Sequence, residues 1–256
     1  MNILAITQAR SGSLRLPGKV LKKIDGISLL EIHLKRLLKS KRIDQLLIAT
    51  TVNQEDDSIV EIADKLNIPA YRGSVNNVLE RFYLAAKLYE PTWIVRLTSD
   101  CPLIDADLVD LVIEKALSEN LDYCSNSLEP SFPDGMDVEI FKASALEKAA
   151  QEATLASDKE HVTPYLYRNS TFFNKNMFVS ANYSSSENYS AVRLTIDEPE
   201  DFEVIRLIIK KLGIEKDWKT YADFYVAHKE INLLNKNIKR NEGYIKSIKN
   251  DSQNDK

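Results

Sequence analysis

Short apolar runs alternate with amphipathic stripes along the first half of the chain, and no other feature restricts the fold as much. Ile3 to Thr7, Leu46 to Thr51, Trp93 to Leu97 and Tyr123 to Ser125 are brief, mostly apolar and closed by polar or turn residues, as buried strands are. Between them Leu29, Ile32, Leu34, Leu37 and Leu38 recur at helical spacing. So do Ile59, Ile62, Ala63 and Leu66, with Asn53 as the expected N-cap. Alternating strands and helices join through right-handed crossovers, which predicts an α/β domain with a mostly parallel central sheet flanked by helices. In such sheets ligands collect beyond the carboxyl ends of the strands.

After about residue 125 the pattern changes to irregular segments containing Pro and Ser, with Phe132 to Phe141 (FPDGMDVEIF) read as a loop running into a strand. This half is expected to face the substrate. A further helix is expected from Pro199 to Leu212, with Phe202, Ile205, Ile208, Ile209 and Leu212 on one side and Gly213 as its stop signal. The last thirty or so residues are rich in Lys and Asn. The chain is therefore expected to divide into one domain over 1–228 and a basic helical extension over 229–256 with a frayed end.

A net charge of −4 on 256 residues argues against a general nucleic-acid binder, which needs a basic surface. Cys101 and Cys124 alone make neither a disulfide framework nor a zinc pattern. No run reaches the roughly 20 apolar residues of a membrane helix, and the start MNILAITQAR is too short in apolar residues for a signal peptide. A cytoplasmic protein without membrane insertion is expected.

The first strand runs straight into QARSGSLRLPGKVL, Gln8 to Leu21, where Arg10, Arg15 and Lys19 occur without one acidic residue. It is not a P-loop: Gly12 and Gly18 enclose five residues rather than four, and Val20 stands where a Mg²⁺-binding hydroxyl would be. No G-x-G-x-x-G is present either. Three cations and two glycines can offer charge-assisted and backbone hydrogen bonds to phosphate oxygens, or can form a solvated turn. Both readings stand at this point.

Two further segments carry carboxylates at strand ends. In and just after RLTSDCPLID (Arg96 to Asp105), Asp105, Asp107 and Asp110, and in RLTIDEPEDF (Arg193 to Phe202), Glu198, Glu200 and Asp201, are accounted for by helix capping and the helix dipole. Asp100 and Asp197 come too early for that. Each closes its own expected strand, and together they could share a cation that also bridges phosphates, since Mg²⁺ commonly takes one or two carboxylates.

These segments, with YRGSVNNVLERF (Tyr71 to Phe82), FPDGMDVEIF, DKEHVTPYLY (Asp158 to Tyr167) and the tail NIKRNEGYIKS, closely resemble the spore coat polysaccharide biosynthesis protein F family of cytidylyltransferases. That family is related to the 3-deoxy-manno-octulosonate and acylneuraminate cytidylyltransferases. The resemblance implies a single Rossmann-like nucleotide-diphospho-sugar transferase domain with a small β portion for substrate and dimerisation, and a homodimer. It implies transfer of CMP from CTP to a small sugar acceptor, releasing pyrophosphate, with Mg²⁺ as cofactor. By the same resemblance Arg10 and Lys19 would bind the triphosphate, with Gln8, Ala9, Ser11, Gly12, Arg15 and Ser99 around it. Asp100 and Asp197 would hold Mg²⁺, and Arg72 and Ser74 would lie near the base. The family commonly has Asp where this chain has Asn77, which leaves the base or ribose contact there open. Asp134, Gly135, Asp137 and Glu139 would face the sugar.

His161, beside Glu160, is read either as a substrate contact or as a structural helix residue. His33 lies in an apolar pattern and is read as structural. The tail, with Lys236, Lys239, Arg240, Lys246 and Lys249, is read as a solvated basic helix, the alternative being that Arg240, Asn241 and Tyr244 fold back over the site. Competing activities are a glycosyltransferase of similar fold, a GTP-using nucleotidylyltransferase and a noncatalytic nucleotide sensor.

Overall fold

The computed structural model describes residues 2–13 and 15–254, without the side chains of 252–254. The four runs read as strands are strands: β1 (Ile3–Gln8), β4 (Gln45–Thr51), β6 (Trp93–Thr98) and β7 (Tyr123–Ser125). They join β5 (Ala70–Gly73), β8 (Glu139–Lys142) and β9 (Ser180–Asn182) in one seven-stranded sheet of order β5-β4-β1-β6-β8-β7-β9. All pairings are parallel except those of β8 with β6 and β7. Lys23–Ile24 (β2) and Ile27–Ser28 (β3) form a separate hairpin.

The chain passes from β1 outward to β4 and β5, then returns to place β6 on the other side of β1. A crevice therefore opens between β1 and β6 at their carboxyl ends, where an open α/β sheet binds ligands. Because β8 is antiparallel, its first residue, Glu139, reaches the same edge.

Period-2 alternation distributes β1 between two cores. Ile3 and Ala5 pack with Leu30 and Ile32 of α1 (Leu29–Leu37), Ile59 of α2 (Asp57–Lys65), Val112 of α4 (Ala106–Ser118), Ile205 of α8 (Pro199–Leu212) and Tyr221 of α9 (Trp218–Ala227). Leu4 and Ile6 pack on the other face with Phe82 of α3 (Val78–Lys87), Leu146 of α5 (Ala143–Glu152) and Leu166 of α7 (Pro164–Arg168). His33, fully buried in α1, is structural: its Nδ1 donates to the Cys101 carbonyl at 2.9 Å, and Nε2 lies 3.1 Å from Thr7 Oγ1. Burial pulls its pKa down to about 4, so it stays neutral.

Three local expectations change. Asn53 makes no capping bond; a 3₁₀ turn over Gln54–Asp56 intervenes before α2, and Asp56, fully buried, turns its carboxylate to Ser11 and Thr51. The stretch before Asp197 is no regular strand but a single bridge, Asp134 to Arg193. The tail is not merely a solvated helix. Short helix α10 (Lys229–Asn235) buries Ile231 in the core, and α11 (Glu242–Asn254) packs on α6 (Ala156–His161). The extreme end, 255–256, lies outside the described residues. Among the described residues no helix is long and apolar enough to cross a membrane, and both cysteines are free and buried.

Candidate active site

The basic loop is folded back on itself. The Ser11 carbonyl accepts from the N–H of Ser13 and, at 3.0 Å, from that of Gly18, which takes a left-handed φ of 63°. Ser11 N–H donates to Asp56 Oδ1 at 2.7 Å, anchoring the loop to the end of β4. Ala9 is held by the Ala49 carbonyl, and Gln8 Oε1 accepts from Arg96 on β6. Gly12 has limited room, since a Cβ there would meet Glu55 at 3.1 Å. Arg10 is left exposed at the rim. The loop ends in a 3₁₀ turn, Lys19–Leu21, pinned by buried Val20.

That turn aims Lys19 into the crevice. Its Nζ donates to Asp100 Oδ2 at 2.8 Å, to Asp197 Oδ1 at 3.0 Å and to the Ile196 carbonyl at 2.8 Å. Arg15 lies alongside, 2.9 Å from Asp197, 3.1 Å from Glu198 and 3.9 Å from Glu242 of the tail. Burial opposes charge on Asp100, yet the Lys19 ammonium and its hydrogen bond hold this carboxyl well below the usual carboxylate range. Burial likewise works against the Lys19 cation, and Asp100 and Asp197 outweigh it, raising its pKa. Of the expected set, Lys19, Asp100 and Asp197 come together with Arg15 beside them, Arg10 stays at the exposed rim, and the Ser99 N–H donates to the Gln8 carbonyl at 3.2 Å.

No group of three or more His, Cys, Asp or Glu able to hold a metal occurs among the described residues. Two carboxylates already bracketing one cation, the Lys19 ammonium, are nevertheless a donor set that fits Mg²⁺ delivered with phosphates and water.

Arg193 connects this cluster to the next. Buried in the protein, it reaches Asp201 with two nitrogens at 2.8 Å, Asp134 at 2.6 Å and Asp197 at 3.2 Å. Asp201 also accepts the N–H groups of Asp197 and Glu198 at 3.0 Å, completing a capping box on α8 and fixing Asp197 in place. Sequence reasoning assigned Asp201 to capping alone and gave Arg193 no role. A buried Arg with an Asp eight residues on has no local signal.

Asp134, Asp137 and Glu139 form an acidic wall. Each is paired with an arginine, Asp134 with Arg193, Asp137 with the tail's Arg240 and Glu139 with Arg96, and Arg240 Nε also lies 4.0 Å from Asp134. Tyr123 also donates to Glu139 at 2.6 Å. Burial and the neighbouring Asp137 carboxylate push the Asp134 pKa up to about 7. Gly135 allows the wall to form, because a Cβ at its φ of 107° would lie 2.6 Å from the backbone of Leu194 and Thr195.

The remaining expected residues are placed differently. Arg72 binds the Thr51 and Asn53 carbonyls at 2.9 and 2.7 Å and Asp57 at 2.5 Å, so it braces the β4–α2 connection. Asn77 caps α3 through Glu80 N–H, and Ser74 Oγ accepts from Asn77 N–H. His161 meets the tail: its Nε2 is 3.1 Å from Ser247 Oγ, and its ring packs edge-on to Tyr244 at 5.1 Å. The tail crosses the site by way of Arg240, whose Nη1 also donates to the Phe132 carbonyl at 3.2 Å, and further along buried Asp251 accepts from Ser157 N–H at 3.2 Å.

Comparison with known proteins agrees with this geometry. Residues 4–238 match a family model described as cytidylyltransferase. The chain is 39% identical over 241 residues to the uncharacterized protein MJ1063 of Methanocaldococcus jannaschii, covering 94% of this chain and 97% of that one. It is 33% identical to the spore coat polysaccharide biosynthesis protein SpsF of Bacillus subtilis, over 92% and 95% of the two chains. A cytidylyltransferase structure from Leptospira borgpetersenii superposes with a TM-score of 0.82 at 34% identity, covering 90% of this chain and 95% of that one. A family match across nearly the whole chain, on a sheet whose switch-point crevice gathers a basic loop and paired carboxylates, makes this protein a member of the cytidylyltransferase family.

Proposed function

We propose that the enzyme transfers CMP from CTP to an acidic or modified sugar for surface polysaccharide synthesis, releasing pyrophosphate with Mg²⁺ as cofactor. The observation that carries this reading is the convergence of Lys19, Asp100 and Asp197 beside the basic loop. Attack of a sugar hydroxyl on the α-phosphate concentrates negative charge on the phosphoryl oxygens and the departing pyrophosphate. Lys19 and Arg15, drawn from their present carboxylates, would receive the polyphosphate with Arg10 at the rim and stabilise that charge. Asp100 and Asp197 would hold Mg²⁺, which supplies Lewis-acid stabilisation of the phosphates when bound. Gln8, Ala9, Ser11, Gly12 and Ser99 shape the loop around the nucleotide. Arg72, Ser74 and Asn77 define the floor at the base end by bracing it.

The acceptor meets Asp134, Asp137 and Glu139, with Gly135 holding the wall against the 194–195 backbone. Three carboxylates accept hydrogen bonds from sugar hydroxyl or amino groups. A keto-acid carboxylate would instead draw Arg96 or Arg240 from its present partner. The acceptor oriented this way gains rate from proximity, without a covalent enzyme intermediate. Residues 1–228 act as the catalytic domain, 229–256 as an extension docked across the acceptor end, and His161 anchors that extension. The protein works in the cytoplasm as a homodimer, which light scattering tests.

The deciding experiment is a pyrophosphate-release screen of the four nucleoside triphosphates against keto-acid, neutral and amino sugars with Mg²⁺. CTP-dependent release with one acceptor is expected; release with GTP alone, or with no acceptor–nucleotide pair, would refute the reading.

A further inference from the structure

Arg81 interrupts the buried face of α3, between Leu79 and Phe82 on a stripe with Val78 and Ala85. It is only 1% exposed. The other buried guanidiniums are well provided: Arg193 has three carboxylates, and Arg36 has two carbonyls with Asp105 at 3.9 Å. Arg81 has one hydrogen bond among the described residues, Nη1 to the Ser74 carbonyl at 2.7 Å, and its buried Nε has no partner. Of the charges that bear on it, Arg10 repels and Asp56 attracts, but both Asp56 oxygens are already turned to Ser11 and Thr51. Burial first, then Arg10, pull its pKa down to about 10, so it remains a cation at neutral pH.

A buried charge without an ion pair is destabilising, and packing does not require it here. An unbranched apolar side chain would keep the packing of the Arg81 stem against Gly73, where a Cβ would lie 3.0 Å from Arg81 Cγ. What the charge does provide is positive potential in a low-dielectric position between the Gly73–Ser74 turn and the start of the basic loop. There its attraction for an anion is stronger than that of a solvated cation.

We propose that Arg81 is a positioning residue of the nucleotide site: it fixes the Ser74 turn and supplies, with Arg10, a positive charge left uncompensated until a polyphosphate binds. The proposal rests on the cytidylyltransferase reading for the identity of the nucleotide, and on the fold alone for the anion.

The test compares wild type, Arg81→Met and Arg81→Lys in ligand-free thermal unfolding and in calorimetric titration with two probes, Mg²⁺ plus a non-hydrolysable CTP analogue and Mg²⁺ plus inorganic tripolyphosphate. Arg81→Met is expected to melt at or above the wild-type temperature yet bind both probes at least about tenfold more weakly, with Arg81→Lys recovering most of the tripolyphosphate affinity. Wild-type affinities in Arg81→Met would overturn the proposal, as would lower melting with affinity unchanged. Should Arg81→Met fail to fold, Arg81→Lys decides: tripolyphosphate affinity close to wild type supports the role of charge, and a loss beyond about tenfold defeats it. Wild-type protein that binds tripolyphosphate but not the CTP analogue would sink the cytidylyltransferase reading and leave the Arg81 comparison in force. Binding of neither probe would sink both.

Discussion

Lys19 and Asp100, 81 positions apart, meet at 2.8 Å, and the same ammonium reaches Asp197, 178 positions away, at 3.0 Å. One cation thus ties the segment after β1 to the residues that follow β6 and to those that precede α8. Asp100 is held in the charged state by a partner that a polyphosphate can draw away.

Asp100→Asn and Asp197→Asn are expected to lower pyrophosphate release by at least about 100-fold while near-ultraviolet circular dichroism stays unchanged, because each amide removes one anionic donor from the site. Turnover close to wild type in both variants would dismiss the paired-carboxylate assignment.

Lys19→Ala is expected to weaken binding of the CTP analogue by about 10- to 100-fold, the usual size of a charge-assisted hydrogen bond. Titration calorimetry measures it directly. An unaltered affinity and rate would clear Lys19 of any part in phosphate handling.

Asp201→Asn should cost about 3–5 kcal/mol at pH 7, since it leaves the buried Arg193 without its bidentate partner. Burial opposes the Asp201 charge, but Arg193 and Asn235 hold its folded pKa below the ordinary 3.8. Its stabilisation is therefore complete above about pH 4 and is lost as the pH falls through the folded value. Denaturant titrations should show the gap between variant and wild type closing on acidification. A gap independent of pH would contradict the ion-pair account.

Gly135→Ala should destabilise the protein by on the order of 3 kcal/mol, because a methyl at that φ meets the 194–195 backbone. Thermal unfolding tests this, and a melting temperature within about 1 °C of wild type would mean the loop relaxes freely.

Deletion after Asn235 removes the Arg240–Asp137, Tyr244–Tyr167 and Asp251–Ser157 contacts together. Turnover with the acceptor found by screening is expected to fall about tenfold or more, as the acidic wall loses a counter-charge. Unchanged nucleotide KM and turnover would return the tail to a purely solvated role.

Legibility followed the range of each interaction. Burial on a strand or helix imprints period 2 or 3.6 on neighbouring residues, so β1, β4, β6, β7 and α8 could be read directly, α8 to its terminal residues. Half-buried β5 and polar β9 carry no such imprint, because edge strands need bury only one face or little of either. Asn53 has the chemistry of a cap, but Asp56 was already committed to Ser11, a contact 45 positions distant.

The sequence by itself determined the strand–helix alternation, the basic loop after β1 and the candidate carboxylates, since all are local patterns of side-chain type. Only the tertiary structure decided that Lys19 lies between Asp100 and Asp197, that Arg193 and Asp201 support Asp197, that Arg81 stands buried without an ion pair among the described residues, and that Arg240 returns to Asp137. Those contacts depend on strand order and chain reversal. Charge is long-ranged in space but leaves no periodic trace along the chain.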